Sequence, residues 1–308
     1  MLFRQLEYLV ALSRERHFAR AAQACFVSQP ALSEALRKLE KELDVPLVRR
    51  GRKYEGLTPE GERIVLWARR ILADRDALKH EVGALRTGLS GQLRIGVVPT
   101  AAPVVPLLTE QFCAEHPLVT VQVASDLQSG DILARLRNFE LDAGITYLDT
   151  VPESGFRVVP LYRERYVLLA AADMPVPVDG VSWSEASRLP LCLLGPEMQG
   201  RRVLDAVFAE VGVQPEPEVE TDSLASLYAH VRTGRWAGIV PRAWVHVLGL
   251  PPGLRMTPLI EPVRTARVGL VATAGEPGSV MARALADIAR HTDAEAVLDR
   301  VGEDPEHR

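Results

Sequence analysis

The most informative stretch of the sequence is Val27-Ser28-Gln29-Pro30-Ala31-Leu32-Ser33. Ser28 is a residue type that caps helix N-termini, and a proline in the first helical turn loses no hydrogen bond, so a helix is predicted to begin here. Leucines recur at four- and three-residue spacings along the predicted helix Gln29–Leu43. They define its buried side, which consists of Leu32, Leu36, Leu39 and Leu43.

Two further helices are predicted before this one. An amphipathic stripe covers residues 3–13, and an alanine-rich segment covers residues 17–26. Ala21 and Ala22 are small enough to let the next helix cross at close range. Two short helices joined by a tight turn, the second with a polar outer face, are typical of a helix-turn-helix that reads the major groove of DNA.

The outer side of the third helix carries candidate DNA contacts. Gln29 offers an amide to adenine, and Ser33 can reach a base or a phosphate. Arg37 and Lys38 are suited to phosphate contacts, and the basic run at residues 49–53 predicts a hairpin wing along the backbone or in the minor groove. The predicted DNA-binding residues are Ser28, Gln29, Pro30, Ser33, Glu34, Arg37, Lys38, Arg50, Arg52 and Lys53.

The charges of the chain are unevenly distributed. Residues 1–90 hold 17 lysines and arginines against 12 aspartates and glutamates, whereas residues 91–308 hold 19 against 28. A basic segment joined to a larger acidic one indicates nucleic acid or an anionic membrane as a partner. No apolar run approaches the ~18–20 residues of a membrane span, and the N-terminus lacks a long apolar signal region. We therefore predict a cytoplasmic protein whose partner is double-stranded DNA.

A long helix is predicted to follow the wing. Thr58-Pro59-Glu60 combines a capping residue, a proline and an acid in the first turn. Apolar residues then follow at alternating spacings of four and three residues, interrupted by Arg75, as in a coiled-coil seam. We predict that this helix pairs with a second copy; the alternative is an amphipathic helix lying on its own domain. The predicted dimerisation residues are Ile64, Ala68, Ile71, Leu78, Val82 and Leu85.

The remainder of the chain shows a different pattern. Glycines at residues 83–91 predict a hinge, after which short strands such as Leu93–Val98 and Tyr166–Ala171 alternate with helical segments. This alternation predicts a mostly parallel, covered sheet. The stretch Asp149–Arg163 and the segment Pro258–Arg264 are interpreted as two crossovers between lobes.

A ligand is expected beyond the carboxyl ends of the strands, where connections diverge. Thr100 and Ser129 each precede a helix, so their hydroxyls and the free N–H groups can hold an anion, although both also fit ordinary N-capping. Arg201 and Arg202 open another helix, where the helix dipole disfavours cations. A carboxylate ligand would remove that conflict, and surface solvation is the alternative.

Together with Leu57-Thr58-Pro59-Glu60-Gly61, the stretch at residues 27–33 resembles the winged helix-turn-helix of LysR-type transcriptional regulators, without a gap across residues 1–65. Val48 departs from the phenylalanine usual in that family. Glu34 stands where many relatives carry a basic or amide residue, so it can accept from a cytosine amino group or repel phosphate.

The resemblance implies an α/β chain with three parts. These are an N-terminal winged helix-turn-helix at 1–58, a linker and dimerisation helix with its hinge at 59–90, and an effector-binding domain at 91–308. The last resembles type 2 periplasmic binding proteins, with one lobe at about 91–162 and 266–308 and the other at about 163–265.

The resemblance also implies a function. A small, anionic effector would bind at the positions of Thr100, Ser129 and Thr146 and in the loop at Met198, near Arg201 and Arg202. A homodimer or a tetramer would hold and bend an operator, and effector binding would change that bend and the contact with RNA polymerase.

Four other classes of protein are alternatives to this function. The nucleotide-binding and hydrolase motifs are absent and the histidines lack metal spacing, so neither catalysis nor a cofactor is expected. A periplasmic solute-binding protein would carry an export signal, and a sequence-indifferent DNA binder would have no use for ligand lobes. A redox sensor using Cys113 or Cys192 remains an alternative, although no cation neighbours either thiol in sequence.

Overall fold

The computed structural model describes residues 1–50, 54–275 and 278–299. They form two compact units, one containing Met1–Leu89 with two short later segments, and one containing the rest. Within the described ranges, no helix has both the length and the apolar character that a bilayer span requires.

The first unit begins with three helices, α1 (Phe3–Glu15), α2 (Phe18–Ala24) and α3 (Gln29–Leu43). Ser28 caps α3 as predicted, because its hydroxyl accepts from the backbone N–H of Ala31 at 3.4 Å. The core between the helices is fully buried and consists of Leu9, Leu12, Ala21, Leu32, Leu36 and Leu39. Because the leucines of α3 face this core, the opposite side of the helix is exposed to solvent.

The wing consists of two antiparallel strands, β1 (Val48–Arg50) and β2 (Tyr54–Leu57), with Val48 opposite Leu57. The turn between them, which includes Arg52 and Lys53, lies outside the described residues. Glu40 joins α3 to the wing, since its carboxylate accepts from the backbone N–H groups of Leu47 and Val48 at 2.9 and 3.1 Å.

The long helix α4 (Pro59–Thr87) begins at the predicted cap. The hydroxyl of Thr58 accepts from the N–H of Gly61 at 2.9 Å and donates to the carbonyl of Pro46 at 2.6 Å. The helix starts so close to the preceding chain that a Cβ on Gly61 would lie 2.0 Å from the carbonyl oxygen of Leu47. Only glycine fits at this contact.

The first half of the predicted dimerisation seam on α4 faces the core of its own unit, as in the alternative of an amphipathic helix lying on its own domain. Ala68 is fully buried in the core of its own unit, and Ile64 and Ile71 pack against that core. Arg75 is tied to α1, with its guanidinium over the ring of Phe3 and paired with Glu7. The first turns of α4 thus lie on their own domain, because the core needs their apolar side. Beyond them the chain leaves an exposed apolar stripe, Leu78, Val82 and Leu85, with Leu66 and Trp67 also exposed.

The second unit is a mixed sheet covered by helices. Its strands are β3 (Ser90–Val97), β4 (Leu118–Ala124), β5 (Ala143–Tyr147), β6 (Phe156–Ala171), β7 (Val181–Ser182), β8 (Leu191–Leu194), β9 (Val219–Thr221), β10 (Ala237–Pro241), β11 (Leu254–Ile260) and β12 (Thr265–Thr273). Its helices are α5 (Val105–Glu115), α6 (Ser129–Arg137), α7 (Trp183–Ala186), α8 (Gln199–Glu210), α9 (Leu224–Val231), α10 (Arg242–Leu248), α11 (Val280–His291) and α12 (Ala294–Asp299), with 3-10 helices at Pro99–Val104 and Leu148–Thr150.

The strand order is β4-β3-β5-β12-β6-β10-β8-β9, with β11 paired to β6 and β7. The outer strands β3, β4 and β5 are parallel to one another, as are β8, β9 and β10. The central strands β6 and β12 run antiparallel to their neighbours. Strands β5, β8 and β10 are buried along their whole length, as expected for strands covered on both faces.

Strand β6 belongs to both halves of this sheet. Its residues Phe156–Arg165 pair with β12, and its residues from Tyr166 onward pair with β10 and β11. The sequence predicted a strand only at Tyr166–Ala171, because Pro160 and alternating charges obscure the first half. The second half of the segment interpreted as a crossover, from Phe156 onward, is therefore strand, and this strand passes from one half of the sheet to the other.

We expect Gly61→Ala to lower the free energy of unfolding by about 2 kcal/mol or more, since backbone must move to admit the methyl group. Thermal unfolding of the full chain, followed by circular dichroism, measures this change. Gly130→Ala is the matched control, because a Cβ on Gly130 meets nothing within 4 Å. Equal melting temperatures for the two variants would contradict the close contact.

Candidate DNA interface and effector cavity

The outer face of α3 is polar and exposed along its length. Gln29, Arg37 and Lys38 are exposed and Ser33 is half-buried, whereas the leucines behind them are fully buried. Ser28 and Pro30 are also exposed at the start of the helix. The structure thus brings the predicted helix contacts together on one accessible surface.

Glu34 on this face is paired within its own helix. Its carboxylate lies 3.0 Å from Nζ of Lys38, one helical turn away. The hydrogen bond from Lys38 lowers the pKa of Glu34 below its ordinary value. In the unbound protein one of the predicted phosphate contacts is therefore occupied by a neighbouring acid.

Phe26 is a feature of the same face that sequence analysis missed. The sequence extended α2 through residue 26, but the helix ends at Ala24 and Phe26 lies in the turn with a positive φ of 55°. Its ring is 96% exposed, next to the N-terminus of α3. A large apolar side chain held in the open is able to contact a thymine methyl group or a sugar.

The second unit contains a cavity of about 260 Å³. It lies where the carboxyl ends of β3, β4 and β5 meet the start of α8, as the sequence predicted for a ligand site. Its lining is Val98, Pro99, Thr100, Asp126, Leu127, Gln128, Asp131, Tyr147, Glu197, Met198, Gln199, Gly200 and Asp222. Thr100 and Met198 are the two predicted effector residues in this lining.

Ser129 and Thr146 are buried beside the cavity lining rather than in it. Each is more than nine-tenths buried, and neither hydroxyl has a hydrogen-bond partner among the described residues. Ser129 is flanked by the lining residues Gln128 and Asp131. These two hydroxyls remain predicted effector contacts.

Arg201 and Arg202 do not line the cavity. Arg201 is buried and donates to the carboxylates of Asp205 at 2.7 Å and Glu220 at 2.9 Å, and to the carbonyl of Leu194 at 2.7 Å. Arg202 is exposed. The charge of Arg201 is neutralised by its own domain, so the conflict that an anionic ligand would relieve does not arise. Sequence analysis missed these partners because Glu220 is distant along the chain.

The floor of the cavity is part of a buried polar cluster. Oγ1 of Thr100 lies 2.7 Å from the hydroxyl oxygen of Tyr147, and Tyr147 donates to the carboxylate of Glu164 at 2.6 Å. Tyr166 and Tyr162 donate to the same carboxylate at 2.7 and 3.3 Å. Burial raises the pKa of Glu164, and the tyrosine hydrogen bonds oppose that shift. Burial and the neighbouring Glu164 raise the pKa of Tyr147 well above its ordinary value.

Two close contacts hold this floor in place. The indole N–H of Trp244 donates to the carbonyl of Thr100 at 3.1 Å. Gly200, in the first turn of α8, leaves no room for a side chain, since a Cβ there would lie 2.9 Å from Thr100 and 3.7 Å from the hydroxyl of Tyr147. Helices α8 and α10 thus both pack on the residue that anchors the floor.

Comparison with known proteins gives matches along almost the whole chain. Residues 3–62 match the bacterial regulatory helix-turn-helix of the LysR family, and residues 86–294 match the LysR substrate binding domain. The DNA-binding transcriptional dual regulator OxyR of Escherichia coli K12 is 32% identical over 295 residues, covering 90% of this chain and 91% of that protein. A hydrogen peroxide-inducible genes activator of Haemophilus influenzae is 32% identical over 288 residues, covering 90% and 92%.

Solved structures agree with this assignment. A full-length OxyR variant of Pseudomonas aeruginosa superposes with a TM-score of 0.76 at 28% identity, covering 99% of both chains. Full-length CbnR in complex with its target DNA has the same fold, with a TM-score of 0.66 at 20% identity, covering 95% of this chain and all of that one. The chain belongs to the LysR family of DNA-binding transcriptional regulators, with an N-terminal helix-turn-helix and a C-terminal effector-binding domain.

Proposed function

We propose that this regulator reads its operator through the exposed face of α3 and the wing. The supporting observation is the separation of the two sides of α3, with the leucines buried and the polar residues open to solvent. Gln29 and Ser33 would contact base edges, and Arg37 and Lys38 would contact phosphates. Glu34 would release Lys38 on binding or accept from a cytosine amino group. Arg50, Arg52 and Lys53 are proposed as the wing contacts.

We further propose that two copies pair through the exposed stripe of α4. Leu78, Val82 and Leu85 recur at helical spacing, and the described part of the chain leaves 65%, 48% and 84% of their surfaces exposed. A symmetric pair would place two α3 helices on half-sites about one DNA turn apart. Assembly into a tetramer that bends a longer operator and contacts RNA polymerase is the extension that the family resemblance supports. A regulator of this kind would act in the cytoplasm, where bacterial DNA lies.

The cavity is the proposed control site. A small molecule bound there would shift operator binding or bending only if it prefers one arrangement of the protein, commonly by ~1–3 kcal/mol. The sequence predicted a small anion. Carboxylates rather than arginines line the cavity, so its charges do not support that part of the prediction.

Activation of hydrogen peroxide-inducible genes, which the name of the Haemophilus influenzae relative states for that protein, finds little support in the thiols of this chain. A peroxide-reactive cysteine needs thiolate character and access. Cys192 is fully buried in β8, and burial raises its pKa to about 11. Burial also raises the pKa of Cys25, and Cys113 is an exposed cysteine of α5. We therefore propose a ligand-controlled regulator; Cys113 is the thiol that the redox alternative would use.

Base reading and phosphate contact are separable by substitution. Gln29→Ala is expected to weaken binding to the regulator's own promoter fragment by about tenfold, and to leave a scrambled duplex unaffected. Arg37→Ala is expected to weaken both duplexes alike and to lower the slope of log affinity against log salt by about one. Fluorescence anisotropy of labelled duplexes measures both effects, with Lys79→Ala on α4 as the control. The reverse assignment of the two effects would contradict the proposed roles.

Leu78→Asp combined with Leu85→Asp is expected to give monomers, because each places a charge in the proposed helix pair. Both side chains are exposed within one chain, so the fold of the monomer should be retained. Light scattering measures the mass, and circular dichroism checks the fold. Lys79→Asp, on the same helix outside the stripe, is the control that should stay dimeric. Intact dimers in the double variant would remove α4 from the interface.

A further inference from the structure

The floor of the effector cavity offers hydrogen-bond acceptors. Tyr147 has one hydroxyl proton, and it donates that proton to Glu164. Thr100, 2.7 Å from the same oxygen, must therefore donate its own proton to Tyr147. The remaining lone pairs of Thr100 Oγ1 are acceptors, and Thr100 lines the cavity. A polar ligand that hydrogen-bonds to Thr100 therefore has to supply the hydrogen-bond donor.

The rim of the cavity is anionic. Four carboxylates line it and are exposed at their surfaces, namely Asp126, Asp131, Glu197 and Asp222. Among the described residues, no lysine or arginine belongs to the lining, and no cationic side chain forms an ion pair with any of the four. A cleft lined by charges of one sign concentrates ions of the opposite sign.

Helix N-termini at the cavity contribute positive charge, which opposes the negative charge of the carboxylates. Helices α6 and α8 and the 3-10 helix at Pro99 begin in the cavity lining. Each N-terminus carries about half a positive charge at most, so the three together contribute roughly +1.5. Four carboxylates exceed this contribution by more than two unit charges. The surplus at the cavity is negative even after every helix end is neutralised.

From these observations we infer that the effector of this regulator is a small organic cation with N–H donors, an aliphatic amine or a guanidine. The inference rests on the proposed function, since it names the class of ligand for the same cavity. The ammonium or guanidinium group donates to Thr100 at the floor, and the carboxylates of the rim offset its charge. A metal ion does not fit, because no group of three potential ligands converges in the described part of the chain.

The size of the cavity sets a second limit. A volume of about 260 Å³ lies just below the roughly 300–1,000 Å³ of typical small-molecule pockets. Val98, Leu127 and Met198 supply an apolar part of its lining. A short alkyl chain with one cationic end therefore matches both the polar and the apolar parts of the cavity.

Calorimetry on the full-length protein tests this inference with matched probes. Propylamine and propylguanidine share the propyl chain of butyrate and carry the opposite charge. We expect at least one of the two cations to bind, with an affinity that falls as salt is raised, and butyrate not to bind.

Variants at the rim and the floor locate the binding. Asp126→Asn and Asp222→Asn are each expected to weaken cation binding about two- to fivefold, and the double variant about tenfold. Thr100→Val removes the acceptor while keeping the shape, and is expected to weaken binding about fivefold. Asp179→Asn, an exposed acid outside the cavity, is the matched control that should bind the cation as the parent does.

Three results would overturn the inference: binding of butyrate in place of the cations, cation binding that the rim variants leave unchanged, or binding of no probe at millimolar concentrations. Operator binding by the same samples distinguishes these results from a failure of the proposed function. Butyrate binding that is lost in Thr100→Val and alters operator affinity would keep the control site and reject only the cation. A protein that ignores its promoter fragment altogether would reject the proposed function itself.

Discussion

The second unit depends on one buried carboxylate. Glu164 is 1% exposed and forms no ion pair with the residues that the structure describes, and three tyrosine hydroxyls supply the hydrogen bonds that a carboxylate needs away from water. It sits on β6 at the point where the strand changes partners, one residue before Arg165 ends the pairing with β12. The tyrosines that hydrogen-bond to Glu164 therefore hold the two halves of the sheet together at this point. Through Tyr147 and Thr100 the same hydrogen bonds set the polarity of the cavity floor.

The first unit is organised by apolar packing instead. Leucines on one side of α3 and alanines of α2 make a dense core, and the start of α4 completes it. This core accounts for the first half of the heptad pattern of α4, and the pairing of two copies is proposed for the second half. A repeat of four and three residues also describes a helix lying on a globular core, and Ala68 faces that core. Leu78, Val82 and Leu85 continue the same pattern beyond the core's reach.

Short sequence motifs predicted the features that depend on interactions between residues close together in the chain. The cap at Ser28, the start of α4 at Thr58 and the loops around Thr100 and Met198 all follow from short-range chemistry and lie where expected. The charges around the candidate site could not be predicted from the sequence in the same way. The partner of Arg201 is Glu220, which a different strand brings to it, and the acids of the rim come from three separate connections. The pairing of β6 with β12 likewise depends on a strand about a hundred residues away, so the first half of β6 gave no local sign of its conformation.

The bare contact between Gly61 and the carbonyl of Leu47 has a mechanical consequence. With no side chain interposed, the beginning of the linker helix bears directly on the backbone that leads into the wing, and Thr58 is hydrogen-bonded to Pro46 at the same place. No side chain lies between the two backbone segments at this contact, so neither segment can move far without the other. A few degrees of rotation of this helix, imposed anywhere along its length, must shift the wing relative to α3. Close backbone packing at Gly61 therefore couples the position of the linker helix to that of the wing.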